Sequence, residues 1–222
     1  MLERMDEFFN VRAQEYDVRQ VQNIGPGAEG YERVADYLPA FTRSLLDLGC
    51  GTGLELKAIF KKLPRVKVTG IDFARDMLQK LREKYPEKEV ELICGSYFDV
   101  EFGENRYDAA VSVETLHHFT HGEKTGLYKK LCRALKENGV YVECDYMAPD
   151  QAYEDFYFAE NRRIRTEQGI TEGFFHYDTP CTVENQIKML LGAGFCMVEK
   201  VWQAENTVIL MAKKSPQGEL CR

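Results

Sequence analysis

Residues 45 to 53 read Leu45-Leu46-Asp47-Leu48-Gly49-Cys50-Gly51-Thr52-Gly53, an apolar strand with one acid that runs into three alternating glycines. A helical pattern follows from Leu54. Glycine tolerates a positive φ and has no Cβ to keep a ligand away, and the free N–H groups at the start of a helix favour electron-rich groups. The stretch therefore predicts a turn whose backbone touches a ligand.

A second acid makes this interpretation more specific. Asp72 follows Gly51 by twenty-one residues and comes directly after a second apolar strand, residues 66–71. A carboxylate at that place accepts the hydroxyls of an adenosine ribose. The glycine loop alone is also compatible with an ordinary tight turn, but the loop and the acid together predict a nucleotide-like ligand.

Short apolar runs alternate with helical patterns along the chain, which is typical of an α/β protein with helices on both faces of a parallel sheet. The last two runs are separated only by residues 203–205, too few for a helical crossover, so they are expected to pair antiparallel. We predict a doubly wound, mostly parallel, seven-stranded sheet with an antiparallel last strand. The predicted strands are 44–48, 66–71, 90–94, 107–113, 138–145, 195–202 and 206–212.

Three segments lie outside this alternation. Residues 1–40 are expected to form a helical cover, with helices over 3–20 and 27–38, and residues 146–182 an aromatic insertion after the fifth strand, with a helix over about 151–168. A further helix is expected from Asp178 to about residue 191, and residues 213–222 are expected to be a disordered tail. We predict one domain over residues 1–222.

Composition limits the function classes. The chain has 222 residues, a net charge of −7 and a pI near 5.3, which argues against binding of DNA or RNA by phosphate neutralisation. The sequence contains neither an apolar run of membrane-spanning length nor a secretion signal, and its seven cysteines form no Cys-x-x-Cys pair. These features predict a soluble cytoplasmic protein with free thiols.

Four motifs make the chain resemble the class I S-adenosylmethionine (SAM)-dependent methyltransferases. Residues 45–53 resemble the first family motif, and Gly70-Ile71-Asp72-Phe73 with Met77-Leu78 the second. Residues 107–112, leading to Leu116-His117-His118-Phe119, resemble the fourth motif, and residues 134–142 resemble the helix end, glycine turn and strand that follow. The resemblance implies the Rossmann-like methyltransferase fold, with SAM as cofactor, S-adenosylhomocysteine (SAH) as product and a small molecule as methyl acceptor.

The resemblance also implies roles for residues of this chain. Gly49, Cys50, Gly51 and Gly53 would approach the amino-acid part of SAM, and Asp72 would take the ribose. The resemblance also implies Asp47, in the first motif, as a cofactor-binding residue. Phe73 and Met77 would flank the adenine, with Ser96 and Tyr97 at its rim. Val113 and Glu114 would lie beneath the methionine part, and Tyr16 would belong to a closing segment. Gly95 is followed by Ser96 where many relatives have an acid, and Ala74 stands where they have a helix cap.

Catalytic and substrate-binding residues are predicted from residue types. His118 is expected to move a proton or position the substrate, and His176 is a second candidate; the alternatives are a satisfied helix-start histidine and a surface-loop histidine. We predict no metal site, because adjacent His117 and His118 would point apart on a helix and no carboxylate pair stands beside them. For the insertion we predict a substrate pocket containing Tyr153, Tyr157, Arg162, Arg165 and Tyr177. The alternative is that its arginines, Arg163 included, pair with neighbouring acids on a solvated helix face.

Together these features predict a SAM-dependent methyltransferase that acts on an O, N or C nucleophile of a small molecule. A protein that only binds SAM, or an enzyme that modifies SAM itself, remains open. An NAD-dependent oxidoreductase shares the glycine loop and the ribose acid, but the chain lacks the Tyr-x-x-x-Lys of short-chain dehydrogenases.

Overall fold

The structure is a computed structural model that describes residues 1–215. Its centre is a seven-stranded sheet in the order β3-β2-β1-β4-β5-β7-β6, in which β1 to β5 pair parallel and β7 pairs antiparallel with both β5 and β6. The strands are β1 Ser44–Leu48, β2 Lys67–Asp72, β3 Val90–Cys94, β4 Tyr107–Val113, β5 Leu135–Tyr146, β6 Phe195–Ala204 and β7 Thr207–Lys214. The predicted fold class is confirmed.

Helices cover both faces of the sheet. They are α1 Met5–Arg12, α2 Tyr16–Asn23, α3 Gly30–Tyr37, α4 Leu56–Lys62, α5 Arg75–Lys84, α6 His121–Ala134, α7 Gln151–Glu167 and α8 Val183–Gly192, with 3-10 helices at Gly25–Glu29 and Leu116–His118. No helix in this described part of the chain has the length and apolarity needed to cross a membrane.

Alternating side chains of each strand supply two cores, one on each face, as the period of two in a strand requires. Leu46, Ala110 and Tyr141 pack with α6 and α8 on one face, whereas Leu45 and Val111 pack with α3 and α4 on the other. Because β1 lies between β2 and β4, the strand order reverses beside its end. A crevice outside the carboxyl ends of β1 and β4 follows from this arrangement.

The structure corrects several predicted boundaries. The helix predicted over 3–20 is broken at residues 13–15, and the strand predicted from residue 138 begins at Leu135. The helix predicted from Asp178 begins at Val183. The residues before it bind other parts of the chain, since the Thr179 N–H donates to the carbonyl of His117, and the Thr182 side chain caps the helix. β7 extends to Lys214, so residues 213–214 are not part of a tail, and the tail prediction for residues 216–222 lies outside the described residues.

Candidate active site

The glycine loop after β1 adopts the conformation that its residues predict. Gly49, Gly51 and Gly53 have φ values of +68°, +47° and +71°. A Cβ on Gly49 would lie 2.2 Å from the hydroxyl oxygen of Thr115, so glycine is needed there for the loop to approach the end of β4. A Cβ on Gly51 would have its nearest neighbour at 4.0 Å, which leaves the backbone of Gly51 bare toward the crevice.

Asp72 joins the ends of β1 and β2. Its Oδ2 accepts the N–H of Gly51 at 2.8 Å, and its Oδ1 accepts the N–H of Ala74 at 2.8 Å. The second bond replaces the side-chain cap that Ala74 cannot provide at the start of α5. Burial raises the pKa of Asp72 to about 6. Each carboxylate oxygen can accept a second hydrogen bond, which keeps acceptor capacity for a ligand hydroxyl.

The groove above the glycine loop is almost filled by protein. Its walls are Gly49, Cys50, Gly51, Thr52, Leu54, Glu55 and Val113 with two tyrosines, Tyr16 and Tyr31, and only about 10 Å³ remains free. The Tyr16 and Tyr31 hydroxyls are hydrogen-bonded, and burial raises the pKa of both. Tyr16 therefore occupies the space beside the loop where the resemblance implies the cofactor.

Two buried acids lie behind the loop. Asp47 and Glu55 share a side-chain hydrogen bond, and burial raises the pKa of both carboxyls. Asp47 Oδ2 and Glu55 Oε1 have no hydrogen-bond partner within the described chain. A hydrogen bond between two carboxyl groups requires a proton, so the pair together carries less than its full negative charge.

The residues expected around an adenine lie at the same edge of the sheet. Phe73 follows β2 and its ring centroid lies 6.3 Å from that of Tyr97, while Met77 is buried on α5 beside Ala13. Ser96 is buried and its hydroxyl accepts the N–H of Phe98; Tyr97 lies with its hydroxyl 3.2 Å from the Thr115 hydroxyl. Both polar groups are thus engaged within the protein.

A larger cavity of about 460 Å³ opens next to this groove. The N-terminal cover contributes Phe8, Phe9, Arg12, Tyr16, Arg19, Gln20, Asn23 and Ile24 to it; the ends of β4 and β5 and the loop before α8 contribute Glu114, His117, His118, Tyr146, His176 and Asp178; and Thr207 completes the wall. Tyr16 borders both the cavity and the groove. The cavity and the groove therefore adjoin each other, with the Tyr16 side chain between them.

A buried ion pair forms the floor of the cavity. His117 Nδ1 donates to Asp145 Oδ1 at 2.5 Å, and Asp145 also accepts the backbone N–H of Leu116 and of Tyr146, each at 2.9 Å. Burial by itself lowers the pKa of His117, but the charge of Asp145 and this hydrogen bond raise it to about 9. Glu114, whose backbone φ is +51°, has its Oε2 3.9 Å from the same ring, and burial raises the pKa of Glu114 to about 7.

The two histidines predicted as catalytic both line this cavity. His118 Nδ1 lies 3.2 Å from Asp178 Oδ1, and burial together with neighbouring His117 lowers the pKa of His118. His176 stacks on Phe8 with ring centroids 3.6 Å apart, and burial lowers its pKa to about 4. Both rings are neutral at neutral pH, whereas the His117 ring is charged.

Both reasons for which we predicted no metal site from the sequence are wrong. His117 and His118 lie in a 3-10 helix with ring centroids only 4.0 Å apart, so they do not point apart. Glu114, Asp145 and Asp178 lie within 4 Å of these rings. Glu114 lies three residues before His117, whereas Asp145 and Asp178 are distant in the chain, so local spacing gave no signal for those two acids.

The insertion contributes less to the cavity than predicted. Tyr153, Tyr157 and Tyr177 form a chain of rings beside it, with centroids 4.5 and 6.4 Å apart, and the Tyr153 hydroxyl bonds that of Tyr146. Arg165 donates to the carbonyl of Gly173, Arg162 is exposed, and neither borders the cavity. Arg163 pairs with Glu160 and Glu167, as the alternative proposed. The arginines that do border the cavity are Arg12 and Arg19 of the N-terminal cover.

Comparisons with known proteins agree with this architecture. A family model described as a methyltransferase domain matches residues 45–139. A solved structure of DhpI in complex with SAH superimposes with a TM-score of 0.71 at 15% identity, covering 95% of this chain and 95% of that one, and supports the fold. Residues 45–139 therefore match a methyltransferase domain, and the comparisons together support a class I SAM-dependent methyltransferase. The family to which the sequence motifs pointed is thus confirmed.

Curated relatives within this family differ in activity. A malonyl-[acyl-carrier protein] O-methyltransferase of Acetivibrio thermocellus is 33% identical over 96 residues, which cover 43% of this chain and 33% of that protein. A carboxy-S-adenosyl-L-methionine synthase of Trichodesmium erythraeum is 28% identical over 190 residues, covering 77% and 72% of the two chains. The matched region thus spans about a third of the first relative and most of the second.

Proposed function

We propose that this chain binds SAM in the groove at the ends of β1 and β2 and transfers its methyl group to a small molecule held in the adjoining cavity. The observation that carries the proposal is the contiguity of the two spaces: Tyr16 alone borders both. Methyl transfer requires the donor and the acceptor in line and in contact, and holding them so contributes on the order of 7 to 11 kcal/mol.

The groove has the chemistry that SAM requires. Gly51 presents backbone without a side chain, and Asp72 keeps acceptor positions for ribose hydroxyls. The buried Asp47 and Glu55 carboxyls, which share a hydrogen bond, lie behind the loop, where a cationic amino group of the ligand would find acceptors. The free volume is too small for SAM, so we propose that Tyr16 leaves the groove when the cofactor enters and becomes part of the wall beside it.

Bound SAM would supply an electrophilic methyl group on a sulfonium, and the protein would orient the acceptor and remove its proton. We propose His176 as the proton acceptor. It borders the cavity, its ring is neutral, and that ring forms no hydrogen bond to another described residue. His118 is held at Nδ1 by Asp178, so a positioning role fits it better. The aromatic walls, Phe8, Phe9 and Tyr146, favour an acceptor with an apolar or planar part.

A thermal melt with SAH and with NAD tests cofactor choice. A ligand at about a hundred times its Kd adds about 2.7 kcal/mol to stability, or roughly 5 to 10 °C for a chain of this size. We expect SAH to raise the melting temperature and NAD to leave it unchanged. A shift with NAD alone would contradict the proposal.

A second candidate function is chemistry on SAM itself, and the relative from Trichodesmium erythraeum favours it because its match covers most of both chains. Mass spectrometry separates the two candidates. Incubation with SAM and a panel of small hydroxyl, amine and carboxylate compounds yields SAH and a methylated acceptor if the first holds. A SAM-derived product of increased mass, without SAH, indicates the second.

A further inference from the structure

We propose that His117, His118 and Asp178 form a binding site for one divalent transition-metal ion of the zinc, cobalt or iron(II) type, which holds an oxygen of the acceptor at the floor of the cavity. Metal binding stands on these three residues alone. The part that concerns the acceptor rests on the proposed methyl transfer.

The donor atoms have the separations that one ion requires. Asp178 Oδ1 lies 3.2 Å from His118 Nδ1 and 3.7 Å from His117 Nε2, and all three atoms lie within 4.8 Å of one another. Ligands about 2.1 Å from a tetrahedral ion lie about 3.4 Å apart. A small movement of Asp178, which is 44% exposed, is enough to close the set.

The surroundings fix which nitrogen of His117 is free. Asp145 takes the Nδ1–H, and Asp145 is itself held by the backbone N–H groups of Leu116 and Tyr146. The Nε2 atom therefore faces Asp178 and the cavity, and a metal ion bound there would displace its proton. A carboxylate on the far nitrogen of a ligating histidine is the usual outer-shell partner in metal sites, since it orients the ring and strengthens it as a ligand.

The position of the carboxylates and the access to the site also suit an ion. Glu114, Asp145 and Asp178 each lie within 4 Å of one of the two rings. Two histidines and one carboxylate are typical ligands of zinc and of non-haem iron(II), in sites that leave further positions open. Those positions would face the cavity of about 460 Å³, where an acceptor hydroxyl or carboxylate would bind.

The chain contains a second group of metal-ligating residues, which supplies a matched control. His121 Nε2 lies 2.8 Å from Glu154 Oε1, with Cys181 nearby. Glu154 is already bonded to the N–H of Thr182 and to Asn185, and Cys181 accepts from Lys124, so this group is satisfied without an ion. We expect no ion there.

The test is titration of the metal-free full chain with Co²⁺, followed by visible absorption and calorimetry. We expect one Co²⁺ per chain, with the absorption of a site ligated by nitrogen and oxygen. His118→Gln and Asp178→Asn are each expected to weaken Co²⁺ binding at least tenfold, while His121→Gln binds like the wild type. Circular dichroism of each variant checks the fold, and Asp178→Asn, at a half-exposed position, keeps the test informative if His118→Gln does not fold.

The site is overturned if the wild type shows no saturable Co²⁺ binding or if Asp178→Asn still binds Co²⁺. It is also overturned if His121→Gln loses Co²⁺ binding or if the spectrum shows the intense absorption of a cobalt–thiolate bond. SAH binding, measured by calorimetry without metal, is a separate readout. A chain that binds SAH and no Co²⁺ overturns only the metal site, whereas one that binds Co²⁺ and neither binds SAH nor methylates an acceptor overturns the proposed methyl transfer.

Discussion

At the scale of single residues, Asp72 shows how one side chain holds a strand junction together. It closes the junction of β1 and β2 by accepting the N–H groups of Gly51 and Ala74. The carboxylate was predicted from its spacing to the glycine loop, because a strand end in a parallel sheet fixes where such a side chain lies. Its bond to Ala74 was not predicted, since it depends on how the next turn folds.

Replacement of Asp72 by Asn is expected to weaken SAH binding about ten- to hundredfold. The variant keeps one carbonyl acceptor but loses the charge, and hydrogen bonds to a charged group contribute about 1.5 to 3 kcal/mol. Isothermal titration calorimetry with SAH measures the effect. Asp76→Asn, at an exposed acid on α5, is the matched control and is expected to bind SAH like the wild type. Equal losses in both variants would contradict the ribose role.

Asp108 gives a pH-dependent prediction away from the groove. Burial raises its pKa, but hydrogen bonds from Lys136, from the Arg43 and Ser44 N–H groups and from the Ser44 hydroxyl outweigh this and hold it at about 2. The folded pKa lies below the unfolded value of 3.8, so the stabilisation is present above pH 3.8 and is lost as the pH falls through 2.

We expect Asp108→Asn to lower the free energy of unfolding by about 1 to 3 kcal/mol at pH 7, with the difference shrinking below pH 4. Urea unfolding of both proteins between pH 7 and pH 2.5 measures it. A difference that stays constant over this range would show that the charge of Asp108 does not contribute.

At the scale of elements, the strands were the most predictable part and the segments around them the least. Apolar runs bounded by turns located every strand to within three residues at each end, and the central strands β1 and β4, which are mostly buried on both faces, are mostly apolar. The helix predicted over 3–20 broke at residues 13–15, and α8 began later than predicted. In both places, contacts with residues distant in the chain override the local helical pattern. The spacing of apolar residues along the chain gives no information about such contacts.

The loop between β1 and α4 gives a prediction at this scale. Gly49→Ala is expected to lower the free energy of unfolding by at least about 2 kcal/mol, since it adds the cost of a positive φ to an overlap with Thr115. Gly126→Ala in α6, where a Cβ meets nothing within 4 Å, is the matched control and is expected to stabilise by about 0.5 to 1 kcal/mol. Denaturant titrations of the two variants measure both; an unchanged Gly49→Ala midpoint would show that the loop relaxes freely.

At the scale of the whole molecule, one sheet separates two cores and connects them. The residues on the two sides alternate along the same strands, so neither core can open without disturbing the other. Trp202, the single tryptophan of the chain, lies on β6 and packs against the core on the α3 and α4 side.

We therefore expect unfolding to be one cooperative transition. Trp202 fluorescence and far-ultraviolet circular dichroism are expected to give the same denaturant midpoint. Trp202→Phe serves as the control, since it removes the fluorescence signal and leaves the circular dichroism transition measurable. Separate midpoints for the two probes would show that the edge hairpin of β6 and β7 unfolds independently.

The sequence by itself determined the sheet, the antiparallel last strand, the glycine loop and the acid at the end of β2, because each depends on residues close together in the chain or on the regular spacing of strands and helices. Only the tertiary structure decided which groups meet in the cavity. Glu114, His117, Asp145 and Asp178 come from separate strand ends and a loop, and Arg12 and Tyr16 come from the N-terminal cover. Their meeting depends on where the chain turns back over the sheet, and that is set by packing across long sequence separations.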